Sequence, residues 1–304
     1  MSKDTEKVFR DLNRYLDAHG GDEMSDQEMD RLISQFMEDY NTNLRSGAGT
    51  APTEPETAMD YLELAEEART QKQRLEYTNK ALELEPDNLD AGLAKIALTM
   101  KKPQHTLEAL EALLKKGDAQ MEQGGFFRDS MGDFWAVFET RPYMRVRYQY
   151  LQTLIALGML RKAASVGERS LELCENDNLG IRYSLMCVYA ALEDEPAALA
   201  LLKQFGEYED SQLLLALAVL YYKLDRPDEA TDYLKRLQKI NKGTKKFLRA
   251  AAGDRLEEID ERMAYGYRPF TADELIELVE NNLPLFISVP GFFRWADKRL
   301  KAAK

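Results

Sequence analysis

The sequence predicts an all-α protein: antiparallel helix pairs piled into an α-solenoid, with one helical pair before the array and extra helices after it. Three observations predict this. Ala163, Ala197 and Ala230 lie 34 and 33 residues apart, each inside the same apolar framework, and that period marks a stacked helix-turn-helix array. Alanine, leucine, glutamate and lysine dominate the composition, while strand-like alternation is scarce. A chain of 304 residues ordinarily forms two domains, but a solenoid lengthens without needing one globular core.

Residues 1–45 read as an N-terminal helical pair, with helices over 4–18 and 25–45 split by Gly20 and Gly21. In the second, Met29, Leu32, Ile33, Phe36 and Met37 recur at helical spacing. Ser25 with Glu28 forms a capping box, the serine at the cap and the glutamate three residues on. Residues 46–56 contain Ser46-Gly47-Ala48-Gly49-Thr50-Ala51-Pro52, which is linker chemistry and predicts a tethered N-terminal pair. Residues 57–140 hold degenerate helical repeats, two helix pairs over 57–116 with the second opened by Pro103. From 117 to 140 the pattern breaks. Gly117, Gly124, Gly125 and Gly132 interrupt it while Phe126, Phe127, Phe134, Trp135 and Phe138 crowd in, an aromatic joint between two halves of the array. The regular repeats occupy 141–241, and 242–304 is a C-terminal helical extension. Its helices are expected near 244–252, 254–263 and 271–282, then a stretch from Leu283 to Gly291 and a final helix carrying Phe292, Phe293 and Trp295.

The three repeats superpose position by position. The first reads Tyr150, Leu151, Leu154, Gly158, Ala163, Gly167, Ser170; the second Ser184, Leu185, Val188, Leu192, Ala197, Leu201, Gln204. The third reads Leu217, Ala218, Tyr221, Leu224, Ala230, Leu234, Leu237. The early positions fall at i, i+1, i+4 and mark one helix face; those from the alanine onward fall at i, i+4, i+7 and mark a second helix. Gly158, Asp194-Glu195-Pro196 and Asp225-Arg226-Pro227 supply the turns, with proline where a first helical turn has no amide bond to lose. Alanine is needed where two helices cross at close range.

At these residues the chain resembles the tetratricopeptide repeat family, matching its loose consensus over roughly 57–100 and 143–241. The usual tryptophan of the first helix is absent, and Glu175 replaces the closing proline of the first unit. A weaker unit ends in Ala81-Leu82-Glu83-Leu84-Glu85-Pro86 and carries Arg74 at its small-residue position. The string from Arg141 to Tyr183 also looks like a widespread bacterial subgroup of uncharacterised repeat proteins. The family resemblance implies a right-handed superhelix whose first helices line a concave face. It thereby implies a groove of Arg145, Tyr148 and Gln152, then Leu179, Arg182, Met186 and Tyr189, then Gln212, Leu215, Val219 and Tyr222. Such an apolar, aromatic surface with arginines at one end suits a peptide. The alternative is that the chain's own C-terminal helix fills it, because Phe292, Phe293 and Trp295 need burial. The chaperone-binding branch grips a carboxylate with lysines and asparagines; here those positions carry Tyr148, Gln152, Tyr183, Gln212 and Ala216, so that clamp is not expected.

A second candidate surface is the basic run Lys235, Arg236, Lys239, Lys242, Lys245, Lys246 and Arg249, without one acid in fifteen residues. It could dock an acidic partner, or be a solvated helix end complementing the dipole. The cluster at Phe134 and Trp135 is a third, read either as an exposed anchor or as local core.

The formal net charge of −12 argues against nucleic acid and anionic membranes as partners. No run of about 18 apolar residues is present, and the charged start Met1-Ser2-Lys3-Asp4 lacks a signal core; a cytoplasmic protein is expected. Cys174 and Cys187 fit no metal motif and read as reduced core thiols. His19 and His105 stand alone, and no phosphate loop, nucleophile elbow or metal-ligand pair is visible. The expectation is a non-catalytic scaffold or adaptor that binds a protein or peptide, without metal or cofactor. A structural subunit of a homo- or hetero-oligomer is the alternative, and an enzyme of unrecognised type the third reading.

Overall fold

The computed structural model describes residues 3–19, 25–46, 55–206, 209–262 and 266–302. Among them every regular element is a helix. The chain divides into two compact units, Met1–Leu98 and Thr99–Lys304.

The first unit comprises α1 (Lys3–His19), α2 (Asp26–Ser46), α3 (Ala58–Glu67), α4 (Gln71–Leu84) and α5 (Leu89–Thr99). α1 pairs with α2, and α3 with α4. Ser25 opens α2 as its sequence predicts: the Ser25 N–H and hydroxyl both donate to the Glu28 carboxylate, at 3.1 and 2.7 Å. Thr57 and Asp60 form a second capping box at the start of α3. Ala58, Leu62, Ala81 and Ala91 bury together, and the small alanines let α3 and α4 approach closely. Arg74 stays on the surface and donates to the Ala68 carbonyl at 3.0 Å. The expectation of a tethered N-terminal pair is corrected here, because α1 is fastened to α3. Lys7 donates to Glu63 at 2.6 Å, Arg10 bonds the same carboxylate, and Arg14 grips Asp60 at 2.9 and 3.1 Å. Lys7, Arg10 and Arg14 share one face of α1 by their spacing, and the acids of α3 meet that stripe. Residues 47–54 of the expected linker, and the Gly20-Gly21 break, lie outside the described residues.

The second unit opens with α6 (Pro103–Gln123), at the expected proline. Gly117 does not interrupt it as expected; it is buried inside the helix, where packing outweighs the roughly 1 kcal/mol a glycine costs relative to alanine. α7 (Phe126–Asp129) and a 3₁₀ turn (Phe138–Thr140) follow. The aromatic segment between them is local core. Phe134 is fully buried, stacks on Phe127 at 5.6 Å, and donates its N–H to the Leu173 carbonyl at 3.0 Å.

Three helix pairs then match the three sequence repeats: α8 (Arg141–Ala156) with α9 (Leu160–Leu173), α10 (Ile181–Leu192) with α11 (Glu195–Phe205), and α12 (Ser211–Lys223) with α13 (Pro227–Ile240). They pack largely in chain order: α8 on α9, α9 on α10, α10 on α11 and α12, α12 on α13. Each pair turns by the same device. Gly158, Glu193 and Asp225 take left-handed backbone, and the next residue's N–H reaches back five positions, Met159 to Leu154, Asp194 to Tyr189 and Arg226 to Tyr221, at 2.9, 3.0 and 2.9 Å. This bond satisfies a carbonyl that the helix end would otherwise leave open. Ala163 and Ala230 are fully buried, as the period requires. Ala197 departs from it: Ala198 is fully buried in its place, because α11 turns Ala198 and Leu201 inward and leaves Ala197 on the wall of an open cleft.

Beyond the pairs come α14 (Thr244–Ala252), α15 (Ala272–Asn281), α16 (Leu283–Ile287) and α17 (Phe292–Ala302). The helix expected over 254–263 is not formed. Asp254 takes left-handed backbone at φ 55°, Arg255 N–H closes on the Ala250 carbonyl at 2.9 Å, and only a 3₁₀ turn (Leu256–Glu258) follows. α15 lies against α12, α14 and α10; α16 against α10 and α8; α17 against α14 and α13.

Candidate functional site

The expected groove residues do not form one surface. Met186, Leu215 and Val219 are fully buried. Every residue of α12 from Ser211 to Tyr221 is buried, because α10, α13 and α15 pack around it. Tyr222 lies under α17, its ring 5.4 Å from Phe292 and 5.0 Å from Trp295. Gln152 ties α8 to α10 by donating to the Ser184 hydroxyl at 2.8 Å. Arg145 is half-buried on α8. The C-terminal extension therefore covers much of the wall that α8, α10 and α12 would have offered to a partner. The expected aromatic filling by Phe292, Phe293 and Trp295 accounts for only one end of it.

What remains of that wall is a cavity of about 360 Å³, to which Tyr148, Leu179, Arg182 and Gln212 contribute. The extension closes it with Tyr267, Glu277, Asn281 and Asn282. Its geometry starts from Asp177, a buried residue in left-handed backbone at φ 47°. The Asp177 carboxylate caps α10, accepting from the N–H groups of Ile181 and Arg182 at 2.7 and 3.0 Å and from the Arg182 guanidinium at 2.9 Å. Burial pushes the Asp177 carboxyl above its usual range, against the pull of those donors. Arg182 lies over the Tyr183 ring at 4.3 Å, and Tyr183 donates to Asp210 at 2.8 Å. Gln212 donates to the Tyr267 hydroxyl at 3.0 Å. Burial raises the phenols of Tyr148, Tyr183 and Tyr267, and nearby carboxylates raise them further: Glu277 for Tyr148, Asp210 for Tyr183, Glu274 for Tyr267.

A second opening, about 860 Å³, is a cleft between α9 and α11 with α10 as its floor. Leu171, Leu185, Tyr189, Leu201 and Phe205 give it an apolar base, Ala197 and Ala200 widen one wall, and Glu168, Glu172 and Glu175 stand along the other. Tyr189, expected in the groove, faces this cleft and donates to Glu168 at 2.9 Å.

No protein-family model and no curated protein matches this chain. Among the described residues no group of three or more His, Cys, Asp or Glu is placed to hold a metal ion, and no helix is long and apolar enough to cross a membrane. His19 stacks on Tyr15 at 4.2 Å, and Cys174 and Cys187 are buried free thiols.

Part of the basic run is met by acids, one on its own helix and two from other segments. Lys235 is 3.3 Å from Asp232, Arg236 2.8 Å from Glu209, and Lys246 2.8 Å from Glu261. Lys245 and Arg249 share a cavity of about 70 Å³ with Asp297, while Lys239 and Lys242 are exposed. Sequence reading missed Tyr267, Glu277, Asn281 and Asn282 as site residues, since no local motif ties them to α8 or α10. It also passed over the run Leu213–Leu220, apolar on every face, which is the signature of a buried helix.

Proposed function

We propose that this protein is a non-catalytic interaction scaffold, a repeat-built adaptor of tetratricopeptide type whose helix pairs continue as a right-handed superhelix. Its partner segment sits in the α9–α11 cleft, not on the α8–α10–α12 wall. The observation that carries this reading is the cleft itself: about 860 Å³ open to solvent, apolar at its base and carboxylate-lined along one side. The partner that fits is an amphipathic segment, with leucine-sized side chains against Leu171, Leu201 and Phe205 and lysines or arginines toward Glu168, Glu172 and Glu175. Apolar anchors in a groove supply most of the affinity of such contacts, and opposite charge at the rim supplies orientation and on-rate.

The test is fluorescence anisotropy with a labelled helical peptide of leucines and lysines, against a scrambled peptide of equal charge. Ala197→Trp fills the cleft without altering charge and is expected to weaken binding at least tenfold. Glu168→Gln with Glu172→Gln is expected to slow association and flatten its salt dependence. Equal binding of the scrambled peptide, or an Ala197→Trp variant that binds like the wild type, would remove the cleft as the docking surface.

A further inference from the structure

The cations of the second unit gather on three helices. From Lys235 to Arg249 and from Phe292 to Ala302, eleven Lys and Arg stand against one acid, Asp297. These stretches cover the end of α13, the turn after it, α14 and α17, and α17 packs on both α13 and α14. Lys245 and Arg249 of α14 border one small cavity with Asp297 and Lys301 of α17, so the two sets of charge meet there. Lys301 takes Asp297, and Lys235, Arg236 and Lys246 have the acids named above. Lys239, Lys242, Lys245, Arg249, Arg294 and Lys298 are exposed and form no ion pair among the described residues.

The helix dipole does not account for this face. It favours a cation at a helix C-terminus and disfavours one at the N-terminus. Lys239 and Arg249 stand in the last turns of α13 and α14, but Lys245 is in the first turn of α14 and Arg294 in the first turn of α17. Lys245 with Arg249, and Arg294 with Lys298, are also like-charge pairs four residues apart, which repel along a helix. A face that keeps such charges together is complementary to an acidic one. None of the exposed large apolar side chains lies on α13, α14 or α17, so nothing there inserts into a lipid surface. Tyr233, Phe293 and Trp295 are only half-exposed, which leaves no open platform for stacked bases.

The same sequence carries the complement. Residues 1–98 hold 11 Lys and Arg against 22 Asp and Glu, a net charge of −11 out of the chain's −12. The α3 acids Asp60 and Glu63 are spent on α1. On α2 the acids are open: Asp26, Glu28, Asp30, Glu38 and Asp39 are all exposed, Arg31 is the one cation among them, and none of the five forms an ion pair among the described residues. We propose that the α13–α14–α17 face is a self-association surface that docks α2 of a second copy of this chain. A long polyanion would meet the excess acid of residues 1–98 as well as the basic face, whereas α2 presents a short acidic surface. The contact joins unlike surfaces, so it closes into a dimer when two such contacts form about a two-fold axis and runs into longer chains otherwise. It is independent of the α9–α11 cleft, whose lining lies on other helices.

Sedimentation velocity of the full chain tests this. In about 0.1 M salt the protein is expected to sediment faster than a monomer as its concentration rises. In about 1 M salt, where the screening length falls from about 10 Å to about 3 Å, association is expected to weaken at least tenfold. Lys239→Glu with Lys242→Glu and Lys298→Glu reverses the basic face, and Asp30→Lys with Glu38→Lys and Asp39→Lys reverses α2. All six side chains are exposed, so helix content is expected to hold. Each triple variant alone is expected to stay monomeric. Their equimolar mixture is expected to associate again, because each variant supplies the surface the other has lost. A monomer at every concentration in the lower salt, either variant associating like the wild type, or a mixture that stays monomeric would overturn the proposal. A wild-type monomer that binds phosphatidylserine vesicles or duplex DNA instead would overturn it too, and would assign the face to phosphate. The wild-type salt series needs no variant, so a substitution that unfolds the protein does not remove the test.

Discussion

The ring of Tyr222 stands 5.0 Å from the indole of Trp295. A residue expected from the sequence to line a groove thus spends its aromatic face on the chain's own last helix. The backbone comes equally close, for a Cβ on Gly291 would lie 3.0 Å from the Tyr222 hydroxyl. Phe292 and Phe293 extend the cluster to Phe286 and Phe247, so α17 joins α12, α14 and α16 through stacked, tilted and edge-on rings.

Trp295→Ala is expected to destabilise the second unit by about 2–3 kcal/mol, toward the low end for an aromatic truncation because the ring is only half-buried. Removing residues 284–304 is expected to do more and to raise binding of a hydrophobic dye. Urea denaturation followed by the fluorescence of Trp135, the other of the chain's two tryptophans, reads the first effect. A midpoint that does not move would show that α17 contributes little to holding the unit together.

Gly243 tests the seat of α15. Its backbone, φ −78° and ψ −14°, is helical and admits any L-residue. A Cβ there would nevertheless lie 2.1 Å from the Ala272 nitrogen and 2.6 Å from the Thr271 carbonyl carbon. Gly243→Ala is therefore expected to cost about 3 kcal/mol through displacement of α15. Gly158→Ala, at φ +71° with nothing within 4 Å, is expected to cost only about 1 kcal/mol of backbone strain. The same urea experiment compares the two; equal losses would mean that α15 yields without penalty.

Asp60 sets the acid limit of the first unit. Burial alone would raise its carboxyl, but hydrogen bonds from Arg14, Thr57 and Glu56 outweigh that and hold it well below the carboxylate range. A depressed folded value means that the stabilisation is complete above the unfolded value of about 3.9 and is lost as pH falls toward the folded one. Asp60→Asn is expected to destabilise the first unit by about 2 kcal/mol at pH 7, with the gap to wild type narrowing below about pH 4. Urea midpoints by circular dichroism at pH 7 and pH 3 measure it, and a gap of the same size at both would contradict the assignment.

Tyr143 and Arg147 lock α8 onto its neighbours from inside. Tyr143 donates to Asp118 at 2.6 Å, and Arg147 donates to the Tyr143 hydroxyl, the Ser170 hydroxyl and the Val166 carbonyl at 3.1, 2.9 and 3.1 Å. Arg147→Lys loses the planar fork that reaches all three and is expected to cost about 3 kcal/mol. Burial foremost pushes the Tyr143 phenol up to about 12. Tyr143→Phe is accordingly expected to leave the 295 nm absorbance at pH 11 unchanged, and a drop of one tyrosinate would show a solvent-reachable phenol.

Local features of the chain carried most of the helices. The Ser25–Glu28 cap, Pro103, the prolines at 196 and 227, and the turn at Gly158 act within four or five residues, so their outcome is written in neighbouring letters. Where those cues misled, a distant contact had overruled them: Gly117 is held in helix by packing, and Ala197 gives its place to Ala198 because α11 faces the cleft. The candidate cavity was half visible. Tyr148 and Arg182 follow from the repeat register, whereas Asn282 and Glu277 come from a segment with no repeat to align. Periodicity records which side of a helix is apolar, but not what will lie against it. That choice rests on burying the apolar faces of α10 and α12, and the stretch of chain that does so, α15 and α16, arrives far later in the sequence through contacts that no short-range pattern encodes.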